Sequence, residues 1–406
     1  MSNIEGRHDA RFETVRAKFE QNVASGEELG ASLVLDIDGD VVIDLWGGFR
    51  DPGHTVAWDE HTITNVWSTT KAVTSLAALM LVDRGELDIH APVAEYWPEF
   101  AANGKQGVEI RHLLSHTSGV AGLDQPAVLE DLYDWEKSTA RMAAQAPWWE
   151  PGTASGYHMT NFGHLLGEVI RRVSGKPLKR FVAEELAGPL GADFQIGAAE
   201  KDWGRIANVI PPPPMRFDAD ALGADNPGVK AASGPVIEAN DANTPSWRRA
   251  DMGAVNGHGN ARSVARVLSA IARGGEVDGI RLLGPDTIDL IFNEQANGVD
   301  VVLGIPLRWG VGYALPKKDT IAWIPDGKIC FWGGWGGSVI IMDLDRRMTI
   351  SYMMNRMAPA SSVPTEAAPT SRPSTTRFRP LALQGKDTRP PGQLVVGAAG
   401  GGDLPW

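Results

Sequence analysis

Cysteine is almost missing from this chain: its 406 residues contain one, Cys330, which excludes an internal disulfide and a cysteine-rich metal site. Long apolar runs are missing too. No stretch reaches the roughly 18 uncharged apolar residues of a membrane-spanning helix, and the opening MSNIEGRHDARFETVRAKFEQ has no apolar signal core. The expectation is a cytoplasmic protein with no membrane partner. Basic charge is in deficit, with 38 Lys and Arg against 50 Asp and Glu and a net charge of -12, so a nucleic-acid partner is excluded as well. The nine histidines form no H-E-x-x-H or other close metal spacing, and there is no G-x-S-x-G elbow. No metal and no cofactor are expected, and the α/β-hydrolase architecture fails at its defining feature.

What is present is a folded composition, 43% apolar and 22% charged, enough for one large core or two smaller ones. Its most informative segment is Ser68-Thr69-Thr70-Lys71, at the front of the uncharged run Ala72-Val73-Thr74-Ser75-Leu76-Ala77-Ala78-Leu79-Met80-Leu81-Val82. On a helix, residues three apart share a face, so the Lys71 amine reaches the Ser68 hydroxyl. An alcohol becomes a nucleophile when a neighbouring base takes its proton. Lysine becomes such a base when burial and the positive end of a helix disfavour its ammonium. The competing reading is an ordinary helix start, with serine as a cap and lysine in solvent. The uncharged run behind Lys71 favours a helix buried on nearly all sides, and with it the catalytic reading.

The rest of the chain divides by pattern. Phe12, Val15, Phe19 and Val23 predict an amphipathic helix over 10–24, and residues 31–36 and 41–46 predict a hairpin turning at Asp38-Gly39-Asp40. Helices are predicted over 161–174, closed by Gly175, over 177–187, and over 261–273, stopped by Gly274-Gly275. Pro211 to Pro214 read as extended polyproline, and 216–250 shows little periodicity. Strands are predicted at 309–315, 338–343 and 348–354. The fold class is therefore α+β: one antiparallel sheet flanked by helices and assembled from both chain ends, 1–65 and 255–357, with a mostly helical lobe, 66–254, between them. Residues 358–406, rich in Ala, Pro, Ser, Thr and Gly, read as an irregular tail.

Two further segments carry chemistry. Tyr157 lies in Pro151-Gly152-Thr153-Ala154-Ser155-Gly156-Tyr157-His158-Met159-Thr160-Asn161, a Gly-rich turn before a helix that can aim a phenol into a cleft; a plain packing tyrosine is the alternative. In Cys330-Phe331-Trp332-Gly333-Gly334-Trp335-Gly336-Gly337-Ser338, glycines beside an edge strand let backbone N–H groups approach a ligand, as an oxyanion hole requires. A Gly-rich bulge with aromatic packing is the alternative there.

Together with His112-Leu113-Leu114-Ser115-His116-Thr117-Ser118-Gly119, these motifs closely resemble the class C beta-lactamase-like serine hydrolases, in particular their esterase branch, the family VIII carboxylesterases. The likeness spans about residues 10–357. It implies a beta-lactamase/penicillin-binding-protein-like fold in which Ser68 is acylated, Lys71 is the helper base and Tyr157 protonates the leaving alcohol. It also implies an oxyanion hole from the Ser68 and Trp335 N–H groups, a pocket involving Trp332, Gly333, Gly334, Trp335, Trp149 and His158, and a structural role for 112–119 under the cleft. Lactamases usually carry K-T-G where this chain has Trp332-Gly333-Gly334, and Y-x-N where it has Tyr157-His158-Met159. Losing that lysine removes a cation suited to a lactam carboxylate and favours neutral esters. The expected activity is hydrolysis of small to medium-chain carboxylic esters. A beta-lactamase or an amide or D-amino-acid peptide hydrolase with the same machinery is the nearest alternative, and a non-catalytic penicillin-binding-like protein is a further one. Monomer and homodimer fit the sequence equally.

Overall fold

Asp38 and Gly39 both take positive φ, 54° and 95°, which is the backbone of the tight hairpin turn whose twist matches paired strands. The turn joins β2 (Gly30–Ile37) to β3 (Asp40–Gly48) and seeds the main sheet. In the computed structural model, which describes residues 3–213 and 223–359, that sheet has six strands. The others are β1 (Ile4–His8), β4 (Ile329–Gly333), β5 (Val339–Asp343) and β6 (Met348–Met354), in the order β1-β3-β2-β6-β5-β4 with every pair antiparallel. The two chain ends meet at β2 and β6, where Leu35 pairs with Ile350. Burial of β2 and β6 is near-continuous because helices cover the sheet, α1 (Glu13–Ser25) among them.

The nucleophile helix, α2 (Thr70–Asp83), is buried from Thr70 to Leu81 without a break. That is what its uncharged run demands, since a helix apolar on every face is stable only when surrounded. Against it packs α3 (Asn161–Ser174), which ends as predicted on Gly175 in the left-handed conformation, its N–H closing on the Arg171 carbonyl. The helix over the sheet, α4 (Ala261–Ala272), begins with a reciprocal cap in which Asn260 Oδ1 accepts the Ser263 N–H at 2.9 Å and Ser263 Oγ accepts the Asn260 N–H at 3.0 Å. No helix among the described residues is long and apolar enough to cross a membrane.

Several expectations are corrected. The strand read at 309–315 is instead Pro306–Trp309, and the chain turns away at Gly310 and at Gly312, whose φ is 83°. The N-terminal strand β1 gave no period-2 signal because it is an edge strand with mostly exposed side chains, held by its ladder to β3. Within 216–250, the described part contains the short helices Pro227–Ser233 and Pro245–Arg249. The helix expected over 177–187 starts at Leu178 and changes to a wider π-turn over Val182–Ala187. The tail beyond residue 359 and the end of the polyproline run lie outside the described residues.

Candidate active site

Ser68 sits just before α2, and Lys71 one turn later places Nζ 2.9 Å from Ser68 Oγ. Two backbone carbonyls hold the same nitrogen, Met159 at 2.8 Å and Ala254 at 3.0 Å. A neutral amine has two N–H donors and one lone pair. With both donors committed to carbonyls, the lone pair is the part left for the Ser68 hydroxyl, so proton transfer from oxygen to nitrogen has a prepared direction. Lys71 is fully buried, and desolvation holds its pKa well below the ordinary lysine value. The Ala254 carbonyl reaches the amine because Gly163 on α3 lets that backbone pass closely: a Cβ at 163 would stand 2.3 Å from the Ala254 nitrogen.

The phenol comes from the loop before α3. The Tyr157 hydroxyl faces the Ser68 hydroxyl and the Trp332 indole, and its ring lies with its centroid 4.9 Å from Lys71 Nζ. Burial raises its pKa above the ordinary phenol value, opposite to the phenolate that a charged neighbouring lysine would favour. Burial therefore favours the neutral amine at Lys71 and the neutral phenol at Tyr157.

The turn before the nucleophile is strained. Trp67 adopts φ 51°, a conformation rare for a bulky side chain, and its indole packs edge-on against Trp335 at 5.0 Å and Trp247 at 5.4 Å. Across from it, the turn leaving β4 is tied to the same backbone. Ser338 Oγ donates to the Val66 carbonyl at 2.8 Å and lies 3.0 Å from Thr69 Oγ1. Among the described residues, neither the Ser68 nor the Trp335 backbone N–H has an intramolecular acceptor, so both are free to hold a developing oxyanion. Gly334 is what allows this approach: a Cβ there would lie 2.2 Å from Ser338 Oγ and 2.5 Å from the Val66 carbonyl oxygen. Gly334→Ala is expected to push the two turns apart and lower kcat about tenfold to a hundredfold, a fraction of the loss typical of a whole oxyanion donor. Steady-state kinetics check it; unchanged kcat in a folded variant would free Gly334 from this role.

The remaining expected pocket residues separate into two groups. Trp335 and Trp149 are half-buried, the latter over Gly156 with its indole N–H donating to the Ala154 carbonyl at 3.0 Å. Gly333 ends β4 beside Gly334. Trp332 and His158, by contrast, are wholly enclosed and back the site instead of lining an open face. Trp332 points from β4 into a cluster with His116, Phe162 and Trp309. Both His158 ring nitrogens are engaged, by Ser118 Oγ at 2.6 Å and the Gly156 carbonyl at 2.6 Å, and burial pushes its pKa down to about 4. His116, from the 112–119 segment, lies under the Tyr157 ring at 5.0 Å, and its Nδ1 accepts the His158 N–H at 3.0 Å. Sequence reasoning missed Asp300, a buried carboxylate whose Oδ1 accepts the Tyr157 backbone N–H at 2.9 Å. Its signal was weak, an aspartate four residues before Gly304 in an otherwise apolar stretch. Among the described residues no cluster of His, Cys, Asp and Glu could hold a metal ion.

The family model described as Beta-lactamase matches residues 15–369. The Esterase/beta-lactamase LipL of Mycobacterium tuberculosis is 33% identical over 371 residues, covering 87% of this chain and 83% of its own. Esterase EstB of Burkholderia gladioli is 29% identical, with 83% of this chain and 88% of its own covered. The crystal structure of a family VIII carboxylesterase superposes with a TM-score of 0.82 at 39% identity, over 87% of this chain and 94% of that one.

Proposed function

The chain belongs to the beta-lactamase family and is a serine hydrolase, a carboxylesterase like its esterase relatives; from that premise we propose that it cleaves small to medium-chain esters through an acyl-enzyme on Ser68. The observation that carries the mechanism is the Lys71 amine, desolvated, pinned by two carbonyls and 2.9 Å from the Ser68 hydroxyl. Lys71 takes the Ser68 proton as Oγ attacks the ester carbonyl, and the Ser68 and Trp335 N–H groups hold the oxyanion. Tyr157 gives its proton to the departing alkoxide, and the Lys71 ammonium restores the phenol. Acylation thus releases alcohol and leaves amine and phenol as they began. Water repeats the sequence on the acyl-enzyme.

The substrate preference rests on what surrounds the nucleophile. Trp332, which stands where a lactamase has lysine, is enclosed behind the site and brings no charge to it, and the half-buried Trp149 and Trp335 supply aromatic surface. Such walls suit uncharged acyl and alcohol groups better than a carboxylate. Intact-mass trapping with acetyl, butyryl and octanoyl p-nitrophenyl esters, beside a cephalosporin and a D-alanyl amide, tests the assignment. The expected result is an acyl adduct on Ser68 from the short and medium esters, with the cephalosporin and the amide turned over slowly or not at all. Turnover of the amide alone would reassign the chain to peptide chemistry, and no adduct from any compound would make it a non-catalytic relative.

A further inference from the structure

We propose that Asp300 is a positioning residue for proton donation: its buried carboxylate, contributed by the 300–305 turn, sets where the Tyr157 phenol stands against the Ser68 oxygen. This inference rests on the reading of Tyr157 as the donor to the leaving alcohol.

The turn is built around that side chain. One carboxylate oxygen, Oδ1, accepts the backbone N–H groups of Tyr157 at 2.9 Å, Leu303 at 3.0 Å and Val302 at 3.1 Å. The backbone of Asp300 closes the same turn, its N–H donating to the Ile305 carbonyl at 2.9 Å and its carbonyl accepting the Gly304 N–H at 2.8 Å. A second strut runs beside the first, from the Val301 N–H to the Ser155 carbonyl at 2.8 Å. The tyrosine loop is therefore fastened to residues 300–301 on both sides of Gly156. On its other flank the loop is fastened to His116, through the His158 N–H at 3.0 Å and the Gly156 N–H at 2.9 Å. The next residue, Met159, gives its carbonyl to Lys71. One short loop thus sets both the phenol and one of the two carbonyls that orient the base, and Asp300 is the side chain that fixes its middle.

Asp300 is fully buried, and burial pushes its pKa above the ordinary carboxyl value. A carboxylate in that setting is costly unless hydrogen bonds hold it. Three N–H donors on one oxygen are what this turn supplies, and removing the side chain would strand the buried Tyr157 N–H and take this acceptor from the part-buried Val302 and Leu303 N–H groups. The charge has a further effect in the same direction. Burial is the main cause that keeps Tyr157 protonated, and the carboxylate behind the ring adds to it in its ionised form, although burial raises the pKa of Asp300 as well. The other titratable groups facing the ring are Lys71 and His116, with His158 adjacent in the chain; burial lowers the pKa of all three and so disfavours their charged forms.

The test uses the leaving group. Nitrophenolate departs without a proton, whereas ethoxide must be protonated, so misplacing a proton donor hurts the alkyl ester selectively. In Asp300→Ala, kcat for ethyl butyrate is expected to fall at least about tenfold further than kcat for p-nitrophenyl butyrate, with little change in KM. Asp300→Asn keeps an acceptor oxygen for the three N–H groups and is expected to recover most of that loss. Equal losses on both esters, or an asparagine variant no better than alanine, would overturn the proposal in favour of a merely structural aspartate. If the alanine variant does not fold, Asp300→Glu decides: it keeps the charge but moves the acceptor one methylene outward, and absence of a selective loss on ethyl butyrate there sinks the idea. Tyr157→Phe is the control. It should show the same selectivity at larger scale; if it shows none, the donor reading itself fails and the inference falls with it, whereas selectivity in Tyr157→Phe without any in the Asp300 variants rejects positioning alone.

Discussion

Ser68→Ala is expected to bring ester hydrolysis down by a factor on the order of a million, the scale seen when a serine hydrolase loses its nucleophile, while the protein stays folded. No neighbouring hydroxyl is placed to substitute. Thr69 Oγ1 is committed to Ser338 at 3.0 Å, and Thr70 Oγ1 donates to the Trp67 carbonyl and accepts the Gly257 N–H at 2.8 Å. The substitution removes one hydroxyl from a nearly buried position and leaves both carbonyl partners of Lys71 in place, so the change in stability should stay near about 1 kcal/mol. Initial rates with p-nitrophenyl butyrate, a thermal melt, and an intact-mass spectrum without an acyl adduct check the three parts. Near-normal turnover in a folded Ser68→Ala protein would remove the mechanism altogether.

Lys71 gives the second large effect, and here pH is informative as well as mutation. Lys71→Met should cost about a hundredfold to ten-thousandfold in kcat, the range for a positioned acid–base group. Lys71→Arg should be no better, since a guanidinium does not give up its proton and cannot accept one from Ser68. The sign of the pH dependence follows from the direction of the shift. Burial lowers the folded pKa of Lys71 below its unfolded value, so the active neutral amine dominates above the folded pKa and is lost as pH falls through it. The kcat/KM profile of the free enzyme should therefore show an acid limb, and Lys71→Met should lack it. Between the folded and unfolded pKa values the unfolded chain binds more protons, so the stability of the wild type rises with pH across that window. The wild type should accordingly gain on Lys71→Met as pH rises through it in parallel melts. A profile that is flat into the acid range, or a methionine variant within tenfold of wild type, would take the base role away from Lys71.

Much of the fold was legible because it is encoded locally. The hairpin turn is written in Asp38-Gly39, the end of α3 in Gly175, and the sealed environment of α2 in a run without charge. The misreadings have a common cause in non-local partners. Strand β1 is mostly exposed and exists through its ladder to β3, and the strand ending at Trp309 was displaced in the reading because Gly310 and Gly312 bend the chain at contacts made elsewhere. Trp332 and His158 were expected on the pocket wall because they adjoin residues of the site, but neither chain adjacency nor residue type tells which way a side chain turns. The packing of Trp332 against Trp309 and Phe162, and the Ser118 partner of His158, settled that.

By itself, the sequence determined the amine–hydroxyl pair, because the geometry of residues three apart on a helix is complete within one turn and asks nothing of the rest of the molecule. It also determined the uncharged wall of that helix and the absence of a cation at Trp332. The tertiary structure alone decided the rest: the left-handed Trp67, the two carbonyls on Lys71, the phenol's approach, and the Asp300 anchor behind it. The two carbonyl contacts of Lys71 and the Asp300 anchor join residues 88, 183 and 143 positions apart. Their distances depend on how segments far apart in the chain pack together, and no local preference of the chain encodes them.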